Sequence, residues 1–288
     1  MTVISKNEYG FFEVTEKPSS EQLSEYYSEK YFQNPTGQYQ KSYSESEINY
    51  FSNKAKVALH CVMKINPAAK SLFEIGCGEG FFANFLFRSQ INDIELNDFS
   101  DFGLKTFHPH LVHLLKKIDV YEHINEAVSA SKRFDLISMD NVLEHVIDPE
   151  LLLNKLKLLM HEKSVLRITV PNDFSSFQKM LIREGIGEET WVSPPEHLSY
   201  FNSVNLVAFC QSLGFQLYSA QCDFPIELFL TNEHSHYYNN RSLGKGAHNS
   251  RIMCTNYLVN EDIDSFIALS EAAAKLQFGR AVTVYLGI

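Results

Sequence analysis

The chain has 288 residues, 44% of them hydrophobic and 21% charged, proportions close to those of ordinary globular proteins. They exclude a collagen-like, low-complexity or disordered chain, and a chain this long can bury a sizeable core without disulfide or metal staples. Its 25 Lys and Arg against 35 Asp and Glu leave a net charge of −10, which argues against a general affinity for nucleic acid. No apolar run approaches the ~20 residues of a membrane span. Met1 to Glu8 lacks the charged and then apolar layout of a signal peptide. The five cysteines (Cys61, Cys77, Cys210, Cys222 and Cys254) are dispersed and form no C-x-x-C pair, so neither a disulfide framework nor a cysteine zinc site is expected. The expectation is a reduced, soluble, cytoplasmic protein with no membrane partner.

In chain order, residues 1–50 stand apart as an N-terminal helical lid. They carry seven of the 14 tyrosines, Tyr9, Tyr26, Tyr27, Tyr31, Tyr39, Tyr43 and Tyr50, among charged and small polar residues. That is poor material for a packed sheet, and short helices and loops are expected, one beginning near Pro18-Ser19-Ser20. An alternating rhythm then occupies 51–222. Asn53 to Ile65 reads as a helix, Ser71 to Ile75 as a strand, and Phe81 to Phe87 as a helix. Ile91 to Leu96 and Phe134 to Met139 read as strands. Pro149 to His161 is a helix with Pro and Glu in its first turn. Ser164 to Val170 is a strand stopped by Pro171. Ser203 to Leu213 is a helix closed by Gly214, and Phe215 to Gln221 is a strand. An insert over 223–278 precedes a last core strand in 279–288, at Ala281 to Leu286. Strands alternating with helices imply an α/β fold, with a mostly parallel sheet covered on both faces.

The most informative segment is Leu72-Phe73-Glu74-Ile75-Gly76-Cys77-Gly78-Glu79-Gly80-Phe81. An acid stands at a strand end, glycines follow at alternate positions, and a helix begins. Glycine lets the backbone turn tightly and approach a ligand, and a helix start offers free N–H groups. The spacing is G-x-G-x-G, not the G-x-G-x-x-G of dinucleotide dehydrogenases, and such turns also occur without a ligand. Asp98 ends the second strand in Asn97-Asp98-Phe99-Ser100, where a carboxylate can accept from two vicinal ribose hydroxyls. Asp119 follows the next β segment and suits an adenine amino group or an ordinary surface position. Phe134-Asp135-Leu136-Ile137 then leads through Asp140-Asn141-Val142-Leu143-Glu144-His145-Val146 to Asp148-Pro149.

Together these residues resemble the class I S-adenosylmethionine-dependent methyltransferases, over roughly 51–221 and again at the last strand. The L-E-H run and Pro195-Glu196-His197-Leu198-Ser199-Tyr200-Phe201 resemble a subgroup that methylates small molecules. The resemblance implies a Rossmann-like, seven-stranded sheet whose last strand is antiparallel. It implies S-adenosylmethionine at the strand C-termini, with Gly76, Cys77, Gly78 and Gly80 under the methionine part. Glu74 would orient the loop or meet the amino group. Asp98 and Phe99 would stand at the ribose, Asp119 at the adenine edge, and Asn141 near the transferring methyl.

A hydroxyl acceptor gains from a general base, usually His. His145 and His197 are the candidates, each with a second reading as a histidine that orients a loop. Some quinone-pathway and small-RNA methyltransferases that resemble this chain at L-E-H place metal ligands there. Their pattern has an acid where this chain has Asn141, so no metal is expected, and Glu144, His145 and His197 are the set that could still hold one. His234 to Asn260 contains no acid. Arg241, Lys245 and Arg251 in it could grip a phosphate or form a solvated loop. Tyr31, Tyr200 and Tyr237 could face the acceptor, or pack structurally. The expected activity is methyl transfer to a hydroxyl or amine of a small polar metabolite, an anionic one such as a nucleotide-linked or phosphorylated sugar being favoured. An RNA or protein methyltransferase and a silent cofactor-binding module are the alternatives, with RNA disfavoured by the net charge.

Overall fold

The computed structural model describes residues 4–28 and 42–288. Seven strands form the central sheet: β3 (Ser71–Ile75), β4 (Asp93–Asn97), β5 (Leu115–Lys116), β6 (Leu136–Asp140), β7 (Val165–Pro171), β9 (Gln216–Cys222) and β10 (Ala281–Gly287). Their order is β5-β4-β3-β6-β7-β10-β9, and the pairs β5–β4, β4–β3, β3–β6 and β6–β7 are parallel. β10 runs antiparallel to both of its neighbours. The order reverses between β4–β3 and β6, so the loops after β3 and β6 diverge and leave a crevice beyond the strand ends.

The strands are buried on both sides, and their period-2 alternation sorts two layers. One face carries Phe73, Ile75, Ile137, Met139, Leu166, Ile168, Val170, Val282 and Val284. Helices α5 (Val120–Ser129), α6 (Pro149–Lys157) and α8 (Ser203–Ser212) cover it through Ile124, Leu152, Leu153, Leu156, Leu206 and Phe209. Each such fully buried side chain contributes roughly 1.5–3 kcal/mol. The other face starts apolar at Leu72, Leu136 and Val165. Toward the strand C-termini it becomes polar, with Glu74, Ser138, Arg167, Thr169 and Gln221 all buried. Helices α2 (Glu45–Ile65), α3 (Phe81–Phe87), α9 (Gly244–Glu261) and α10 (Ile263–Lys275) contribute Val57, Val62, Ala83, Leu86, Val259 and Ile267 to that side.

Several ends are set by local chemistry. Ser44 and Glu47 form a reciprocal capping box that starts α2 eight residues before the expected Asn53, so the helix crosses the expected 50/51 boundary. Asp148 caps α6, with Pro149 at its first position. Asn202 and Asn205 cap α8 reciprocally. The remaining helices are α1 (Ser20–Ser28), α4 (Phe102–Phe107) and α7 (Ser176–Arg183). The 223–278 insert is helical, built from short 3-10 turns, α9 and α10.

The N-terminal segment differs from the helices and loops expected of it. β1 (Ile4–Lys6) and β2 (Phe12–Val14) form a hairpin that pairs with β8 (Ser199–Tyr200). Phe11 enters the main core beside Phe201 and Phe209, and Val14 joins Phe174, Trp191, Leu198 and Tyr200 in a small satellite core. Each strand is too short to show alternation alone; burial against the 174–201 region makes them strands. Tyr31 and Tyr39 lie outside the described residues. No helix among the described residues is long and apolar enough to cross a membrane.

Candidate active site

The glycine turn follows β3 directly. Gly76, Gly78 and Gly80 have φ of +68°, +53° and +76°, in the left-handed region that glycine enters without cost. A Cβ at Gly76 would lie 2.5 Å from Val142 Cγ2, and one at Gly80 2.3 Å from Leu104 Cδ2, whereas nothing stands within 4 Å of one at Gly78. Two glycines are therefore packed against the scaffold, while the middle one faces open space where a ligand can approach. Cys77 between them is buried, and burial raises its thiol well above the usual range.

Asp98, just past β4, holds this turn. One carboxylate oxygen accepts from Gly78 N at 2.8 Å and the other from Ser100 N at 3.0 Å. Burial pushes its acid strength down despite those bonds. Phe99 beside it is exposed by 54%, a large apolar face at the mouth. Glu74 is buried beneath the turn, with Oε2 lacking a hydrogen-bond partner among the described residues. Burial raises its pKa, Asp140 adds to the rise, and Arg167 opposes it. Arg167 in turn donates to Asp140 at 2.7 Å and to Ser138 at 3.0 Å. Burial works to raise Asp140, but Arg167 and Lys54 outweigh it and hold that carboxylate below the usual range.

The outer wall of the turn was not foreseen. Tyr43 donates to Glu79 Oε1 at 2.5 Å and packs on Phe51, Phe81 and Phe107. His108 Nδ1 donates to the Glu79 carbonyl at 2.7 Å. The aromatic spacing at 43, 51, 81 and 107 gave no period to read, because four separate elements supply it. Asp119 is exposed and caps α5, its Oδ1 accepting from Tyr121 N at 2.8 Å and Glu122 N at 3.4 Å.

Beyond β6 the chain turns through Asn141, whose φ of +53° is a left-handed conformation that Asn tolerates better than most residues. Its N–H donates to Thr169 O at 2.8 Å. Glu144 and His145 follow on a short 3-10 turn, and Leu198 N donates to Glu144 O, tying the P-E-H loop to the L-E-H turn. His145 Nδ1 bonds the Glu196 carbonyl. A carbonyl only accepts, so Nδ1 carries a proton, and Nε2 lies 3.8 Å from Glu144 Oε1. The rings of His145 and His197 stand 4.9 Å apart. One ligand atom each from Glu144, His145 and His197 falls within 4.8 Å of the others, so the structure brings together the set that the sequence singled out. Glu144 is only 1% exposed, both its carboxyl oxygens lack hydrogen-bond partners among the described residues, and burial raises its pKa to about 8.

Tyr200 is fully buried and donates to the His197 carbonyl at 2.9 Å, so it holds the loop. Tyr237 is half-buried, and its phenol pKa is raised by burial and by Glu227, with Arg280 and Arg251 opposing. The three cations are not alike: Arg241 and Lys245 are exposed, while Arg251 packs over the Tyr50 ring at 5.4 Å and bonds His248 at 3.1 Å. Sequence reading missed Asp173, Glu227 and Arg280. Asp173 is 1% exposed with neither oxygen hydrogen-bonded, and burial raises its pKa to about 7. Arg280 donates to Glu227 at 3.1 Å. A separate groove of about 740 Å³ opens between Thr15, Lys17, Leu23, Tyr26, Pro194 and Leu198, and no glycine-turn residue lines it.

A family model described as a methyltransferase domain matches residues 43–220. No curated protein sequence matches the chain. Among solved structures, the chain is similar to a SAM-dependent methyltransferase of Archaeoglobus fulgidus, with 18% identity, 92% of this chain and 99% of that one covered, and a TM-score of 0.47. It is also similar to the cyclopropane synthase MmaA2 of Mycobacterium tuberculosis, with 12% identity, coverage of 81% and 83%, and a TM-score of 0.47. The open middle glycine, the buried acid beneath the turn and the carboxylate past β4 fit a ligand with an amino group and a ribose. The family match spans more than half of the chain and falls on a sheet with this strand order, so the chain belongs to the class I methyltransferases, with S-adenosylmethionine as its cofactor.

Proposed function

We propose that the protein moves a methyl group to a hydroxyl or amine of a small polar metabolite. When bound, S-adenosylmethionine supplies a methyl group already activated by its sulfonium. The glycine turn, Glu74 and Asp98 then have to hold and align, and alignment can supply several kcal/mol of the barrier. The observation that carries the proposal is the histidine pair past β6. The Nδ1–H bond to the Glu196 carbonyl fixes the His145 ring with Nε2 3.8 Å from Glu144, and in its neutral form that ring is the base for the proton the acceptor loses. Asn141 borders that position. Residues 223–278 form the acceptor wall through Glu227 and Tyr237, and the N-terminal segment closes the other side. A sugar suits such a wall, because hydroxyls donate to carboxylates. The exposed Arg241 and Lys245 would reach only a phosphate at the rim.

The test is transfer from methyl-labelled S-adenosylmethionine in a cell extract, followed by separation of products by size. Label in the small-molecule fraction is expected. Label in RNA or protein would replace this reading. In the His145→Ala variant, turnover should fall at least ~100-fold and the acid limb of the pH–rate profile should vanish. A loss of a few-fold would make His145 a loop-orienting residue.

A second reading is favoured by one observation, the convergence of Glu144, His145 and His197. The Nδ1 bond of His145 to a carbonyl is the arrangement that orients a ligating imidazole, and Glu144 has two unpartnered oxygens to offer. A divalent cation there would act on the acceptor oxygen as a Lewis acid. Activity unchanged by a strong chelator would retire this reading.

A further inference from the structure

The structure points to Asp173 as a binding group for a positively charged nitrogen on the acceptor. This rests on the small-metabolite reading above and narrows it. Asp173 lies two residues past β7, the parallel neighbour of β6, and so at the same end of the sheet as the loop that carries Glu144. Its backbone is held on both sides. The Asn172 side chain donates to Gly279 O at 2.9 Å and accepts from Ser203 N at 3.0 Å, and Asp173 N donates to Phe201 O at 2.7 Å. Phe174 has φ of +52°, a left-handed conformation that a bulky residue adopts only when its surroundings impose it. Ser175 then caps α7 in a reciprocal box with Gln178. So much anchoring fixes a side chain that bonds to nothing, since Asp173 is 1% exposed and both its oxygens lack partners among the described residues.

The surroundings say what is missing. Glu144 and Glu227 are within electrostatic reach of Asp173, and so is Arg280. Glu227 already takes an Arg280 N–H, and its own Oε2 is unpartnered. Asp173 and Glu227 thus share one engaged guanidinium, Glu144 adds a third buried acid beside Asp173, and the atoms without partners among the described residues are all acceptors when ionised. An anionic group would be repelled here. A hydroxyl would bring one proton to donate, whereas a protonated amine brings up to three and the compensating charge. The metal-capable set among the described residues does not include Asp173, so a cation at Glu144, His145 and His197 would leave this need unmet. A nitrogen held this way keeps its proton and has no lone pair for methyl transfer. It anchors the acceptor while another atom receives the methyl.

The experiment uses the full-length protein, methyl-labelled S-adenosylmethionine and a small-molecule extract. After charcoal removes adenosyl compounds, the product is passed over a cation exchanger at pH 6. The labelled product should be retained. In Asp173→Asn its formation should fall at least ~10-fold, mainly through KM, with S-adenosylhomocysteine binding unchanged by calorimetry. Label in a neutral or anionic small product overturns this inference alone. Label in RNA or protein, or no label with S-adenosylhomocysteine still bound, overturns the small-metabolite reading and this inference with it. A measurement that needs no acceptor completes the test. At pH 8.5 Asp173→Asn should raise Tm by about 3 °C or more, because an unpartnered buried charge is removed. A lower Tm would make Asp173 a structural residue and overturn the assignment.

Discussion

The two halves of the crevice differ in how far the protein satisfies its own polar groups. On the cofactor side, Asp98 bonds two backbone amides, His108 and Tyr43 bond Glu79, and the Asn97 side chain bonds the carbonyl of Ile118 at 3.0 Å. Among the described residues, Glu74 Oε2 and Asn84 Oδ1, on α3, are buried oxygens without a partner there. On the side proposed for the acceptor, Glu144 and Asp173 have no oxygen hydrogen-bonded among the described residues, and Glu227 has one of two. A turn that must receive one fixed ligand is held ready by bonds of its own. A wall that carries unpartnered buried acids is destabilised until a ligand arrives, a cost that proteins tolerate mainly at functional sites.

Variants that break this comparison should differ in sign as well as size. The largest effect is expected at the junction of the halves. Arg167→Met leaves the half-buried Asp140 without its guanidinium and the fully enclosed Glu74 without the charge that opposes its burial. Stability should fall by about 3–5 kcal/mol, read from urea unfolding. An unchanged midpoint would mean that Asp140 and Glu74 simply take up protons. Next comes Asp98→Ala, which removes a charged acceptor from Gly78 N and from the ribose position. Affinity for S-adenosylhomocysteine should drop about 10–100-fold by calorimetry.

Asp173→Asn should act in the opposite direction on stability, and its pH dependence sharpens the contrast. Burial lifts the folded pKa to about 7, above the usual aspartate value of about 3.8, so the folded protein binds the extra proton. The wild type therefore loses stability as pH rises from about 4 through 7, and the Asn variant does not. The gap between the two melting curves should open across that window, reach about 4 kcal/mol and stay constant above it. A gap independent of pH would mean that Asp173 never changes charge on folding. The smallest effect belongs to Asn141. Ala tolerates its left-handed φ poorly and Gly well, so Asn141→Ala should cost about 1 kcal/mol and Asn141→Gly almost nothing.

Much of the cofactor half could be read directly, because it is local. Ser71–Ile75, Gly76–Gly80 and Phe81–Phe87 are contiguous, and their strand, turn and helix lie where the residues indicate. The α2 start was also legible in Ser44-x-x-Glu47 but was passed over for the apolar period that begins later. Asp119 shows what motif reading leaves out: its position after a β segment fits an adenine edge, and the neighbouring helix start also takes its Oδ1 as a cap. The acceptor half was legible only at Glu144, His145 and His197. Asp173 stands in a Pro171-Asn172-Asp173 run without a motif, and Glu227 and Arg280 are separated by the whole helical insert.

By itself, the sequence determined the α/β class, the glycine turn, the carboxylate past β4 and the family. Those features depend on short-range spacing and on alternation within single segments. Tertiary structure alone decided that the N-terminus forms strands, because Ile4–Lys6 and Phe12–Val14 become a sheet only when β8 offers its edge. It also decided which acids lack partners, because a carboxylate's surroundings come from elements far apart in the chain. Burial and pairing are properties of that assembled neighbourhood, and no residue's own sequence context carries them.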